Sequence, residues 1–130
     1  MKILVTGSVG FIAGYFIEKL LKEGHSVIGI DNFSKYGKIE KSYGNHKNYT
    51  FVQGDVKDQH LMSTLLQDCD HFIMMAAKIG GISYFHSFAY DLIAENEAIM
   101  IASFNAAIDA FRLHHLKKIT VISSSMVFEN

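Results

Sequence analysis

A doubly wound α/β fold is the architecture this sequence predicts: a parallel sheet of about five strands in the order 3-2-1-4-5, with helices on both faces. Three observations point to it. Short apolar runs alternate with helical stretches along the chain. The connections are long enough for helical crossovers, which parallel neighbours require. The first strand passes into the first helix through a glycine-rich turn, the usual junction of such a fold.

Taken in order, residues 2–6 form a short apolar run that ends at a glycine and reads as a buried parallel strand. Phe11, Ile12, Tyr15, Phe16, Leu20 and Leu21 then recur at helical spacing and predict an amphipathic helix that stops at Lys22, Glu23 and Gly24. Tyr15 is expected against the sheet and Lys19 in solvent. Residues 26–30 are the second strand, ending at Asp31, and the polar segment 32–48 reads as a long loop. Residues 49–53 are the third strand, with Gly54 and Asp55 as its turn. Asp58 is placed to cap a helix over 59–67 with Leu61, Leu65 and Leu66 inward. A fourth strand over 71–75 leads into a small-residue loop, 76–83. A long helix over 88–115, apolar on most of its circumference, precedes the fifth strand at 118–123.

The 130 residues suit one domain. It is expected to be incomplete, because the chain stops just after an apolar run and three serines, with no helix to close the fold. Twelve basic and 13 acidic residues are spread evenly, so no basic face argues for nucleic acid. The N-terminal apolar run is too short for a signal-peptide core, and no stretch reaches membrane-spanning length. Cys69, the single cysteine, cannot form an internal disulfide, which fits a cytoplasmic protein. The seven histidines are scattered without the i, i+4 spacing of a zinc site, so no metal is expected.

The chemistry is concentrated in Thr6-Gly7-Ser8-Val9-Gly10-Phe11-Ile12-Ala13-Gly14. Gly7 allows a sharp exit from strand one, and Gly10 removes a side chain where a pyrophosphate must approach the helix. Ala13 lets the helix pack close to the sheet. Free backbone amides near Phe11 and Ile12 are then available to phosphate. A second strand follows and ends in an acid, Asp31, 24 positions after Gly7. Its carboxylate can accept from both hydroxyls of an adenosine ribose and would repel a 2′-phosphate, which favours NAD over NADP, a preference that Lys35, close in sequence, works against.

The spacing Gly-x-x-Gly-x-x-Ala resembles the extended short-chain dehydrogenase/reductase family, in its NAD-dependent epimerase/dehydratase branch. Three further stretches carry the likeness: Gly54-Asp55-Val56-Lys57-Asp58, Met75-Ala76-Ala77-Lys78-Ile79-Gly80-Gly81, and Ile122-Ser123-Ser124-Ser125-Met126-Val127-Phe128. The resemblance implies a Rossmann fold over residues 1–130. It also implies that Asp31 with Asn32, Asp55 with Val56, and the strip Ala76, Ala77 and Lys78 join Gly7, Gly10, Phe11 and Ile12 around NAD. In that family Asp55 would face the adenine amino group.

Members of the family act on nucleotide sugars by transient hydride transfer to NAD at a sugar carbon. They use a tyrosine base from a Tyr-x-x-x-Lys motif, assisted by a serine or threonine after strand five. The resemblance assigns the assisting role to Ser124, with Ser125 as the alternative. Tyr15/Lys19 and Tyr43/Lys47 match the motif by spacing, but both precede the serine cluster and neither is read as catalytic. A family asparagine on the long helix aligns with Ile99, which leaves Asn96, one turn earlier, as a further candidate. Homodimerisation through the 88–115 helix is the expected partner interaction. The competing reading is a non-catalytic dinucleotide-binding regulatory or interaction module.

Overall fold

A computed structural model describes residues 1–124. Its elements, in chain order, are β1 (Lys2–Thr6), α1 (Phe11–Lys22), β2 (Ser26–Asp31), β3 (Tyr49–Gln53), α2 (Gln59–Leu66), β4 (His71–Met74), α3 (Ile82–Leu113) and β5 (Lys118–Val121). The five strands form one parallel sheet in the order β3-β2-β1-β4-β5, as the sequence predicts.

Both faces of the sheet are covered at its centre, which is why β1 is apolar without alternation, while β3 and β5 are largely exposed. Successive side chains of a strand point to opposite faces. Ile3 and Val5 accordingly pack with Ala13, Ile17 and Leu21 of α1, whereas Leu4 packs with Met62 and Leu66 of α2 and with Ala106, Ala107 and Ala110 of α3. Phe72 of β4 is fully buried in this second layer. The alanines let α3 lie close to its neighbours. Asp58 caps α2 as expected, accepting from the Leu61 amide at 3.0 Å. Met62 and Leu66 are the buried residues of that helix, while Leu61 and Leu65 pack at its margin.

Three expectations require correction. On α1 the buried face is Ala13, Gly14, Ile17 and Leu21; Phe11, Ile12, Tyr15 and Phe16 are exposed. The helix starts directly from the glycine loop and lies against the sheet, so its first sheet-facing positions must be small. The aromatic residues are pushed outward, where Phe11 and Tyr15 meet edge to face. Helix α3 begins at Ile82, inside the segment read as a loop, and bends at Phe88, whose backbone (φ −132°, ψ 32°) is not helical. The Tyr84 and Phe88 rings pack 4.8 Å apart across the turn before that bend. Finally, β5 ends at Val121, leaving Ile122 to Ser124 beyond the sheet edge.

The outer face of α3 is apolar and exposed at Ile93, Met100, Ile101, Ile108 and Phe111. No helix among the described residues is long and apolar enough to cross a membrane.

His71, at the start of β4, is buried, with its Nε2 2.8 Å from Thr120 Oγ1 on the paired strand β5. Burial, with Lys118 and His25 adding to it, holds the imidazole below its ordinary value of 6.5. Protonation is therefore harder in the folded chain than in the unfolded one. The stability due to the neutral ring is complete above pH 6.5 and is lost as the pH falls from there through the lower folded value. Urea midpoints measured between about pH 5 and 7 should drop on the acid side, and His71→Gln should flatten that drop. An unchanged slope in the variant would assign the titration to another group.

Candidate functional site

The topology itself opens a groove. From β1 the chain crosses to β2 on one side, while β4 lies on the other, so the connections diverge beyond the carboxyl ends of these strands. The groove there has a volume of about 790 Å³. Gly7, Gly10, Phe11, Ile12, Asp31, Asn32, Asp55, Val56, Ala76, Ala77 and Lys78, the eleven binding residues expected from the sequence, all line it.

The glycine loop explains how the groove stays open. Gly7 has φ +66°, and a Cβ added there would lie 3.0 Å from both Cα and N of Ala76. A Cβ on Gly10 would meet the Gly7 carbonyl oxygen at 3.0 Å, the same oxygen that accepts from the Gly10 amide at 2.9 Å. A side chain at Gly7 would crowd the Ala76 backbone and one at Gly10 the loop's own Gly7 carbonyl, so both positions favour glycine. Gly10 is also the N-cap of α1 and supplies no side-chain acceptor. The first amides of α1 thus open on the groove with the positive end of the helix behind them, a site suited to an anion.

The loop is braced from its far side. The buried Tyr43 hydroxyl donates to the Ser8 carbonyl at 2.8 Å, and the Ser8 amide donates to Ile30 O at 3.2 Å. Burial is the main reason that the Tyr43 phenol is held far above its ordinary range. Tyr43 therefore supports the loop from behind and does not face the groove. Tyr15 points to solvent, and Lys19 pairs with Glu23. Neither Tyr-x-x-x-Lys spacing lines the groove. Nothing in the polar pattern of 32–48 signalled the bracing role of Tyr43, because its partner is 35 residues away.

Two acids mark the rim, and each is held differently. Asp31 accepts from the Val9 amide at 3.1 Å and from the Phe33 amide at 2.8 Å, one on each carboxylate oxygen. The second bond closes an Asx-type turn. Phe33 is the one non-glycine residue with positive φ (60°) among the described residues. Asp55 accepts from the Lys57 amide at 2.9 Å and the Asn32 side chain at 3.4 Å, and pairs with Lys57 Nζ at 3.1 Å. Partial burial works against its charge, but the Lys57 amide and ammonium, with Asn32, outweigh it and hold the carboxyl below its ordinary value. Lys57 also hydrogen-bonds Glu95 of α3, which raises its own pKa.

The strip after β4 is clamped by Asn96. Its Oδ1 accepts from the Lys78 amide at 2.8 Å, and its Nδ2 donates to Lys78 O at 2.9 Å and to Leu92 O at 2.8 Å. Ile99, to which the sequence alignment led, is instead a buried core residue that touches the groove wall. Ser124 is exposed beyond the end of β5. Ser125 lies outside the described residues. Lys57, Glu95 and Tyr84, which sequence reasoning did not single out, also line the groove. Among the described residues no cluster of histidine, cysteine or acidic side chains is arranged to hold a metal.

Residues 3–130 match the NAD dependent epimerase/dehydratase family. The chain belongs to that family. It is 32% identical to the low-salt glycan biosynthesis protein Agl12 of Haloferax volcanii, over 85% of this chain and 38% of that protein. It is 33% identical to the uncharacterized UDP-glucose epimerase YtcB of Bacillus subtilis, over 98% of this chain and 41% of that one. Among solved structures, it superposes on the UDP-glucose 4-epimerase of Stenotrophomonas maltophila, crystallised with NAD and formylated UDP-arabinopyranose. That match has a TM-score of 0.83 at 25% identity, covering 100% of this chain and 39% of that one. The Bifidobacterium longum UDP-glucose 4-epimerase, in complex with NAD+ and UDP, matches with a TM-score of 0.79 at 26% identity, over 98% and 38% of the two chains. The chain thus spans less than half the length of these relatives.

The Asn96 clamp has a direct consequence for dynamics. Each hydrogen bond contributes about 0.5–1.5 kcal/mol net, so Asn96→Ala should speed amide exchange at Lys78 about tenfold or more. The β1 and β4 amides should keep their protection. Unchanged exchange at Lys78 would show that other contacts hold the strip.

Proposed function

We propose that this chain is the NAD-binding part of a nucleotide-sugar epimerase or dehydratase. The observation that carries the reading is the cradle at Gly7 and Gly10, where added Cβ atoms would meet backbone at 3.0 Å. Next to it lie an uncapped helix terminus and the Asp31 carboxylate. A dinucleotide needs these three features together: room for a pyrophosphate, amide donors for its charge, and an acceptor for ribose hydroxyls. Solved relatives crystallised with NAD support the reading.

In this reading the first amides of α1 hold the phosphates and Asp31 accepts from the adenosine ribose. Among the described residues, backbone amides hold Asp31, and its carboxylate opposes a phosphate at the 2′ position, while Lys35, which also lines the groove, works against that preference. Asp55 and Val56 flank the base, and Ala76, Ala77 and Lys78 form the opposite wall. NAD supplies a hydride acceptor for a sugar carbon. Ser124, with Ser125 as the alternative, donates a hydrogen bond to the sugar oxygen as carbonyl character develops. Nucleotide sugar is the substrate class suggested by the names of the relatives, and turnover is assigned to a longer protein of which this chain is a part.

Calorimetry tests this directly. The chain should bind NAD more tightly than NADP, and Asp31→Asn should weaken NAD about tenfold or more, the scale of a hydrogen bond to a charged group. In the full-length protein, Ser124→Ala should lower kcat about 100-fold or more without weakening NAD. A full-length protein that binds neither NAD nor NADH would overturn the assignment. Binding without turnover of any nucleotide sugar would favour a sensing module.

The exposed apolar face of α3 supports homodimerisation through that helix. Sedimentation should show a dimer that Ile101→Glu disrupts; a wild-type monomer at high concentration would remove this part of the proposal.

A further inference from the structure

The rim at the end of β3 carries a chain of charges in which Lys57 and Glu95 have no role in the reading above. Lys57 Nζ pairs with Asp55 at 3.1 Å and hydrogen-bonds Glu95 on α3. Asp55 is also tied to Asn32, in the loop after β2. The ammonium joins the turn after β3 to α3, and Asp55 extends the network to the loop after β2. The side chains of Lys57, Asp55 and Glu95 are only 33%, 39% and 33% exposed, so solvent screens them less than a free surface pair. Glu95 immediately precedes Asn96, and consecutive residues of α3 thereby secure both walls of the groove, one through Lys57 and the other through Lys78.

The order of sites along the sheet edge says what this network faces. The phosphate cradle lies at the end of β1, and the ribose acceptor Asp31 at the end of β2. The next strand outward is β3, whose turn carries Asp55. A dinucleotide laid along that edge places its purine beside Asp55. An ionised carboxylate only accepts hydrogen bonds. Adenine offers it an amino donor, whereas hypoxanthine has a carbonyl oxygen at the same position.

We propose that Lys57 and Glu95 are positioning residues that hold the Asp55 carboxylate against the base and so set the selectivity of the site for adenine over hypoxanthine. The inference rests on the NAD assignment above. Without the Lys57 ammonium, Asp55 and Glu95 lose their shared cation, and Asp55 is left with the Lys57 amide and the Asn32 side chain to orient it, while Lys35 and Lys78 lie elsewhere on the groove.

The test compares the binding of NAD and nicotinamide hypoxanthine dinucleotide by calorimetry, in the full chain and in Lys57→Met, Lys57→Arg and Glu95→Gln, with melting temperatures recorded alongside. The unaltered chain should prefer NAD about tenfold or more, and Lys57→Met should cut that preference to within about threefold. The loss should fall mainly on NAD. Glu95→Gln should lie between, and Lys57→Arg should retain most of the preference. An ion pair with a purely structural role would weaken both dinucleotides equally, so an unchanged ratio in Lys57→Met overturns the proposal even if the melting temperature falls. An unaltered chain that binds NAD without preferring adenine overturns it too and leaves the NAD assignment standing. One that binds neither dinucleotide overturns both.

Discussion

The hydroxyl of Thr6 accepts from the backbone amides of Met75 and Ala76, each at 3.1 Å, and ties the carboxyl end of β1 to that of β4. The next residue, Gly7, then passes the Ala76 backbone so closely that an added Cβ would lie 3.0 Å from it, at a φ of +66° that side chains disfavour. From this junction the chain leaves β1 in one direction and β4 in the other. The groove is the space between them. The position of α1, the exposure of its first amides and the inward strip at Ala76 all follow from this one close approach. Because Thr6 is buried, its two accepted bonds are shielded from water and the junction is held firmly.

Around that junction the structure divides two electrostatic tasks between two carboxylates. Asp31 is stabilised by backbone amides, which leave its charge unneutralised and available to a polar ligand. The turn it closes includes Phe33 in a left-handed conformation, a local cost accepted at the rim of the groove. Asp55 is stabilised by a cation and so belongs to a fixed network anchored on α3. The long helix is thus more than a cover for the sheet. Its inner face carries small residues for close packing, while Glu95 and Asn96 reach back to the two loops that border the groove.

Much of this was legible in the sequence, and for local reasons. The five parallel strands and the glycine loop follow from apolar run length, crossover length and the few residue types that permit a close approach of backbone, and the strand order is that of the Rossmann fold the resemblance implies. The glycine-loop residues and Asp31 could be named because a strand end and turn glycines place them at one edge of the sheet, whereas Asp55, Val56, Ala76, Ala77 and Lys78 were named from the family resemblance. Asp58 was readable as a cap because its partner is three residues away.

What failed had distant or competing causes. The apolar residues of α1 were assigned inward by periodicity, yet the helix has two candidate faces. The sheet selected the one bearing Ala13, Ile17 and Leu21, which pack with Ile3 and Val5 of β1. The start and bend of α3 lie in a stretch without a proline to mark them. The bracing of Ser8 by Tyr43, the Lys57–Glu95 pair and the Asn96 clamp join residues 35, 38 and 18 positions apart. Sequence by itself determined the sheet, the cradle and the family-like order of motifs, all of which depend on short-range geometry. Only the tertiary structure decided which side chains hold the cradle in place, because those contacts arise when separate elements pack and leave no periodic mark on the chain.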